Sequence, residues 1–170
     1  MNKTSVIGFS AWSGTGKTTL IEGLIPELRA LGLHTAVVKH DVHGLILDEA
    51  GKDSSRFAEA GADTVLACCG GTVLLREARP RGLKDLLSLI READLILVEG
   101  FKSEPIPQVG LYRTGSGKGL PEPADRYVAV VTDDPGFRAG VPVFTFDQKR
   151  ELAHFLAEHR REYRLPLLGE

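Results

Sequence analysis

The segment Ala11-Trp12-Ser13-Gly14-Thr15-Gly16-Lys17-Thr18 sets two glycines, a lysine and a hydroxyl residue at the spacing of a Walker A phosphate loop, with Ala11 in the place of the first glycine. Each residue type has a task in that chemistry. Gly14 and Gly16 let the backbone curl so that several N–H groups converge on an anion. A helix starting at Lys17 aims its positive end at the same point. Lys17 reaches the β and γ phosphates, and the Thr18 hydroxyl ligates Mg²⁺. The expected nucleotide-binding residues are therefore Ser13, Gly14, Thr15, Gly16, Lys17, Thr18 and Thr19.

Such a loop needs an acid from a second strand. The run "DLILVE" ends in Glu99, at the edge where open α/β sheets bind ligands. Glu99 is expected to hold Mg²⁺ through water or to polarise an attacking water, which makes it the candidate catalytic residue. Asp94 starts the same run, at the opposite edge, and reads as a cap. The long polar stretch 40–56 reads as a switch-like loop near the γ phosphate. Within it Lys52 is expected to neutralise phosphate charge, and Asp48 or Asp53 to help hold Mg²⁺. The spacing of His40 and His43 matches no zinc pattern. Asp133, after the strand "YVAVV", is the candidate reader of N1 and N2 of guanine. Its bland alternative is a strand-end turn before Pro135. Arg76, Arg79 and Arg81 suit either an arginine lid of a kinase or a solvated connection.

These residues need a scaffold that brings loop ends together. Apolar runs at 5–9, 35–39, 64–69, 72–77, 94–99, 127–133 and 141–146 read as strands, several of them buried on both faces. Helices are expected over 17–31 (Leu20, Leu24, Leu28 and Leu31 on one face, Pro26 inside), 54–60, 83–92, and from an N-cap at Asp147. The alternation implies a doubly wound, mostly parallel α/β sheet in a single domain spanning 1–170. Gly70-Gly71 is expected to turn a β-hairpin that projects and serves as a dimer edge.

Bulk properties narrow the function. With 21 basic and 23 acidic residues among 170, the chain lacks the basic surplus that non-specific binding of nucleic acid or acidic membrane requires. No apolar run approaches the ~20 residues of a membrane helix. The loop begins too soon for a leader peptide, so a cytoplasmic protein is expected. Cys68 and Cys69, the two cysteines, are adjacent, and read as small residues at the end of a buried strand rather than as a disulfide.

The pieces "AWSGTGKTTL", "KH" with "GKDS" and "AGA", "DLILVEGFK" and "LYRTGSG", in that order over about residues 5–135, resemble the molybdopterin-guanine dinucleotide biosynthesis adaptor family, MobB. The first piece marks any P-loop protein, and the others are more specific. The resemblance implies a P-loop NTPase-type fold and a GTP-binding, dimeric accessory protein with Mg²⁺ and weak GTPase activity. It also implies a molybdopterin guanylyltransferase as partner, with molybdopterin or its molybdenum form as a further ligand. Val42, Ile46 and Ala50 stand where the family often has His, an acid and Pro; Gln108 stands where it often has Lys. Lys39, His40, His43, Asp48, Lys52 and Asp53 carry over. An ATP-dependent small-molecule kinase and a non-enzymatic phosphate- or pterin-binding module are the competing readings. Lys102 and Arg113 are left between contact with the phosphates of GTP or molybdopterin and a surface role.

Overall fold

The computed structural model describes residues 5–40 and 53–165. Among these, residues 5–40 with 83–165 form one compact unit and residues 53–82 another.

The larger unit is built on six parallel strands: β1 (Ser5–Ser10), β2 (Thr35–Lys39), β5 (Leu95–Glu99), β6 (Gln108–Tyr112), β7 (Tyr127–Thr132) and β8 (Val143–Phe144). Their order across the sheet is β2-β5-β1-β6-β7-β8. β1 lies at the centre, in register with β5 from Ser5↔Leu95 to Phe9↔Glu99 and with β6 from Gly8↔Gln108. The chain leaves β1 toward one side of the sheet and later places β6 on the other, so a crevice opens beyond the end of β1.

Strand alternation sorts side chains between two cores. Ile7, Phe9, Leu95 and Leu97 face α1 (Lys17–Ala30) and α4 (Lys149–His159), where Leu20, Leu24, Leu28, Leu152 and Leu156 are buried. Val6, Ile96 and Val98 face the other way, onto Leu83 and Leu87 of α3 (Leu83–Ser88). Each such leucine contributes roughly 1.5–3 kcal/mol by leaving water, so these faces fix where the helices lie. α1 runs through Pro26, which cannot donate to a preceding carbonyl.

Several elements differ from expectation. β6 was not among the expected strands: Gly110 interrupts a short run that follows Pro105 and Pro107, although the strand is central and buried. Leu31 sits at the end of α1 and is exposed rather than on its buried face. α3 is shorter than 83–92, because after Ser88 the backbone tightens, with Ile90 N–H donating to the Leu87 carbonyl. β8 shrinks to two residues. Gln148, not Asp147, precedes α4, and its amide oxygen accepts the Thr145 N–H.

The smaller unit holds α2 (Asp53–Glu59) and the antiparallel pair β3 (Thr64–Cys69) and β4 (Thr72–Glu77). Gly70 and Gly71 turn the hairpin with φ of 55° and 103°, the pair of left-handed residues that suits strand twist. Cys68 and Cys69 are exposed free thiols, which corrects the buried-strand reading. The strand is covered on one face only, so β-rich composition alone overstated its burial. Arg79 and Arg81 both bond the Glu77 carboxylate, and the Arg81 hydrogen bond first among these contacts holds its carboxyl below the ordinary carboxylate range. The connection is thus an internal ion cluster.

Candidate functional site

The crevice beyond β1 gathers the ends of three strands. Lys39, Phe9 and Glu99 stand side by side across β2, β1 and β5. Immediately after Ser10 the chain enters the glycine loop. Gly14 and Gly16 hold φ of 80° and 93°, where a side chain would be strained, and Gly16 delivers the chain into α1. Thr15 is buried, and its hydroxyl donates to the Trp12 carbonyl at 2.8 Å, closing the curl. Ser13, Thr18 and Thr19 are exposed on the mouth.

Lys17 and Thr18 converge on one oxygen of Glu99. The Lys17 ammonium lies 3.0 Å from Glu99 Oε1, and the Thr18 hydroxyl donates to the same atom at 3.1 Å. Glu99 is 8% exposed, and these partners occupy its buried carboxylate oxygen. Its position is set by backbone. The Glu99 carbonyl accepts the His40 N–H at 2.8 Å. Gly100 follows at φ 96°, where a Cβ would stand 2.8 Å from the His40 carbonyl oxygen. Phe101 holds φ 49°, uncommon for a bulky residue, with its ring 4.4 Å from that of His40.

A magnesium ion fits this donor set. The Thr18 hydroxyl and the Glu99 carboxylate are oxygen ligands of the type Mg²⁺ prefers. Their 3.1 Å separation matches the about 3.0 Å between adjacent oxygens of an octahedron with 2.1 Å bonds.

Arg113, at the end of β6, braces the loop from the other side. Its Nε donates to the Thr15 carbonyl at 3.0 Å, its Nη1 pairs with Asp133 at 3.3 Å, and its guanidinium stacks 3.7 Å above the Phe146 ring. Asp133 also accepts the Thr114 N–H at 2.9 Å and the Thr114 hydroxyl at 3.3 Å. The Thr114 N–H, then Arg113, hold its carboxyl below the usual aspartate range. Asp133 thus anchors the loop after β6, and these contacts leave little of its accepting capacity open. Asp134 makes the strand-end turn, accepting the Gly136 N–H and the Tyr112 hydroxyl. A cavity of about 340 Å³ lies next to it, lined by Tyr112, Thr114, Lys118, Leu120 and Phe137 among others.

The structure brings together Gly14, Thr15, Gly16, Lys17, Thr18 and Glu99, with Asp133 reaching them through Arg113. Asp48 and Lys52, with Asp41 and His43, lie outside the described residues. Asp53 opens α2 in the smaller unit and pairs with Arg56 at 3.5 Å. Asp94 lies at the far edge, where its carboxylate accepts the N–H of His34, the residue before β2, at 2.8 Å. Trp12 and Lys118 were not singled out beforehand. The signal was a large aromatic inside a phosphate loop and a lysine among glycines.

A parallel doubly wound sheet whose central strand runs through this loop into a helix defines a P-loop NTPase-type α/β protein. Comparison with known families makes the assignment specific. Residues 6–133 match the family model of molybdopterin guanine dinucleotide synthesis protein B, and the chain belongs to this MobB family. The molybdopterin-guanine dinucleotide biosynthesis adapter protein of Escherichia coli is 38% identical over 160 residues, 90% of this chain and 91% of that protein. The adapter protein of the same name from Haemophilus influenzae is 40% identical over 138 residues, 79% of this chain and 78% of that protein. The crystal structure of Bacillus subtilis MobB superposes with a TM-score of 0.75 at 26% identity, covering 98% of this chain and 99% of that one.

Proposed function

We propose that this protein serves as an adapter in molybdopterin guanine dinucleotide biosynthesis and that it works as a Mg²⁺-dependent GTP-binding module. The observation that carries the reading is the convergence of Lys17 and Thr18 on Glu99 at the mouth of the glycine loop. In the free protein Glu99 neutralises Lys17 and holds the Thr18 hydroxyl. With nucleotide bound, Lys17 would reach the β and γ phosphates, and Thr18 with Glu99 would hold the metal. Mg²⁺ supplies charge neutralisation of the phosphates there. The loop N–H groups and the start of α1 hold the phosphate chain, and Arg113 keeps Thr15 in place. Glu99 is also the residue that orients water for slow hydrolysis. Asp133 reads guanine through its remaining accepting capacity.

The nucleotide is held for recognition, and the loaded protein docks on a cytoplasmic molybdopterin guanylyltransferase that joins GMP to molybdopterin. A homodimer is supported by the exposed apolar face of the hairpin, where Leu66 and Val73 are 67% and 65% exposed. Among the described residues no helix is long and apolar enough to cross a membrane.

Calorimetric titration with non-hydrolysable GTP and ATP analogues, with and without Mg²⁺, tests the proposal. The expected result is a Mg²⁺-dependent preference for the GTP analogue, lost in Lys17→Ala. A preference for ATP would point to phosphoryl transfer. Asp133→Ala with an unchanged GTP-over-ATP ratio would remove the guanine role and leave the anchoring one.

A further inference from the structure

Beside the phosphate loop lies a second group of cations, apart from the Lys17–Glu99 pair. Trp12 is 39% exposed, and its indole N–H donates to the Gly119 carbonyl at 2.8 Å. Two ammonium groups lie over its ring, Lys102 at 5.2 Å and Lys118 at 5.1 Å from the centroid. They come from different elements, Lys102 from the turn after β5 and Lys118 from the connection between β6 and β7.

Both lysines are positioned from behind. The left-handed backbone of Gly100 and Phe101 directs the chain into Lys102, and the buried Gln108 amide donates to the Lys102 carbonyl at 3.4 Å. The Ser116 hydroxyl oxygen accepts the Lys118 N–H at 3.2 Å and lies 2.7 Å from the Arg113 carbonyl. Such supported turns are where binding side chains are held ready, at a cost in backbone strain.

The charges do not balance. Lys17 has Glu99 and Arg113 has Asp133, but among the described residues neither Lys102 nor Lys118 pairs with a carboxylate. Partial burial, and then the neighbouring Lys17 charge, hold the Lys102 ammonium below the usual lysine range. Two unmatched ammonium groups beside one ring call for a dianion. A phosphate monoester carries about that charge at neutral pH. Lysine meets phosphate as a point charge on a flexible stem, without needing a fixed fork.

We propose that Trp12, Lys102 and Lys118 form a second anion site, which takes the phosphate monoester of a ligand other than the nucleotide while the nucleotide is bound. The assignment of two separate anions rests on reading residues 11–18 as the nucleotide phosphate site. The second ligand is then brought next to the phosphate loop, with the Trp12 ring as the shared wall.

Trp12 is the sole tryptophan, so its fluorescence reports on this site directly. The full chain, saturated with a non-hydrolysable GTP analogue and Mg²⁺, is titrated with inorganic phosphate at constant ionic strength. The expected result is a saturable fluorescence change. Lys102→Gln and Lys118→Gln each weaken it about tenfold, the loss of one charge-assisted contact, while calorimetry shows nucleotide affinity within about twofold of wild type. No saturable response to phosphate in the loaded protein overturns the proposal. So does an equal loss of nucleotide affinity in the two lysine variants, which would assign both lysines to the nucleotide. Should calorimetry show no nucleotide binding at all, that reading fails separately. Phosphate titration of the Lys17→Ala chain then decides the second site: a retained response supports it and a lost response overturns it.

Discussion

Replacing Glu99 by Gln separates the two roles proposed for that carboxylate, because the expected effects have opposite signs. In the free protein the Lys17–Glu99 pair is mostly withdrawn from water, with side-chain exposures of 17% and 11%. A charge-assisted hydrogen bond contributes roughly 1.5–3 kcal/mol, and breaking it would leave Lys17 without a counter-charge. Gln keeps the shape and can still accept from Thr18, and water reaches part of Lys17. The net destabilisation is therefore about 1–2 kcal/mol, a fall in Tm of about 3–6 °C for a chain of this length. Toward nucleotide the effect inverts. Without Mg²⁺, Glu99 competes with the phosphates for Lys17 and repels them, so Glu99→Gln binds a GTP analogue about 5–30-fold tighter in EDTA, the same free energy returned. With Mg²⁺, one ligand of the metal has lost its charge, and the gain in affinity on adding Mg²⁺ shrinks about tenfold. Thermal unfolding and calorimetric titration with Mg²⁺ or EDTA measure all three quantities. An unchanged Mg²⁺ effect would refute the metal role. A parallel loss of affinity in both titrations would refute the competition for Lys17.

Other expected outcomes follow from the same structure. Gly100→Ala places a Cβ 2.8 Å from the His40 carbonyl at φ 96°, so a loss of about 2–4 kcal/mol is expected by denaturant unfolding, with weakened nucleotide binding because Glu99 is displaced. Tyr163 is 2% exposed, and burial, then the Glu162 charge, pushes its phenol up to about 12. The protonated ring stabilises the fold fully below pH 10, and that stability is lost as pH rises from 10 through 12. Tyr163→Phe should remove up to about 2–3 kcal/mol of the alkaline loss, seen in stability profiles between those limits. Asp133, held acidic, stabilises its loop above pH 4 and loses this as pH falls through its lowered pKa. Asp133→Asn should therefore flatten the stability profile below pH 4. Leu66→Lys with Val73→Lys should shift the chain to monomer in sedimentation; an unchanged mass would place any dimer contact elsewhere.

Much of the site was legible because its chemistry is local. A phosphate loop needs glycines, a lysine and a hydroxyl at short fixed spacing, and both Gly14 and Gly16 do sit at positive φ. Glu99 was legible because it ends an apolar strand, and strand ends share one edge of a parallel sheet. The Gly70-Gly71 turn was legible for the same local reason. Burial was read less well. The hairpin has the composition of covered strands, yet its cysteines are exposed, because coverage depends on what packs above a face. β6 was hidden by its glycine and flanking prolines. Its place beside β1 comes from long-range pairing that no nearby residue signals.

The sequence by itself determined the conformation of the glycine loop and the parallel α/β architecture, since loop conformation and hydrophobic period are properties of neighbouring residues. Which residues meet was decided only by the tertiary structure. Lys17 and Glu99 are 82 positions apart, and Trp12 and Gly119 are 107 apart. They come together because β5 and β6 flank β1, an order set by pairing between strands distant in the chain.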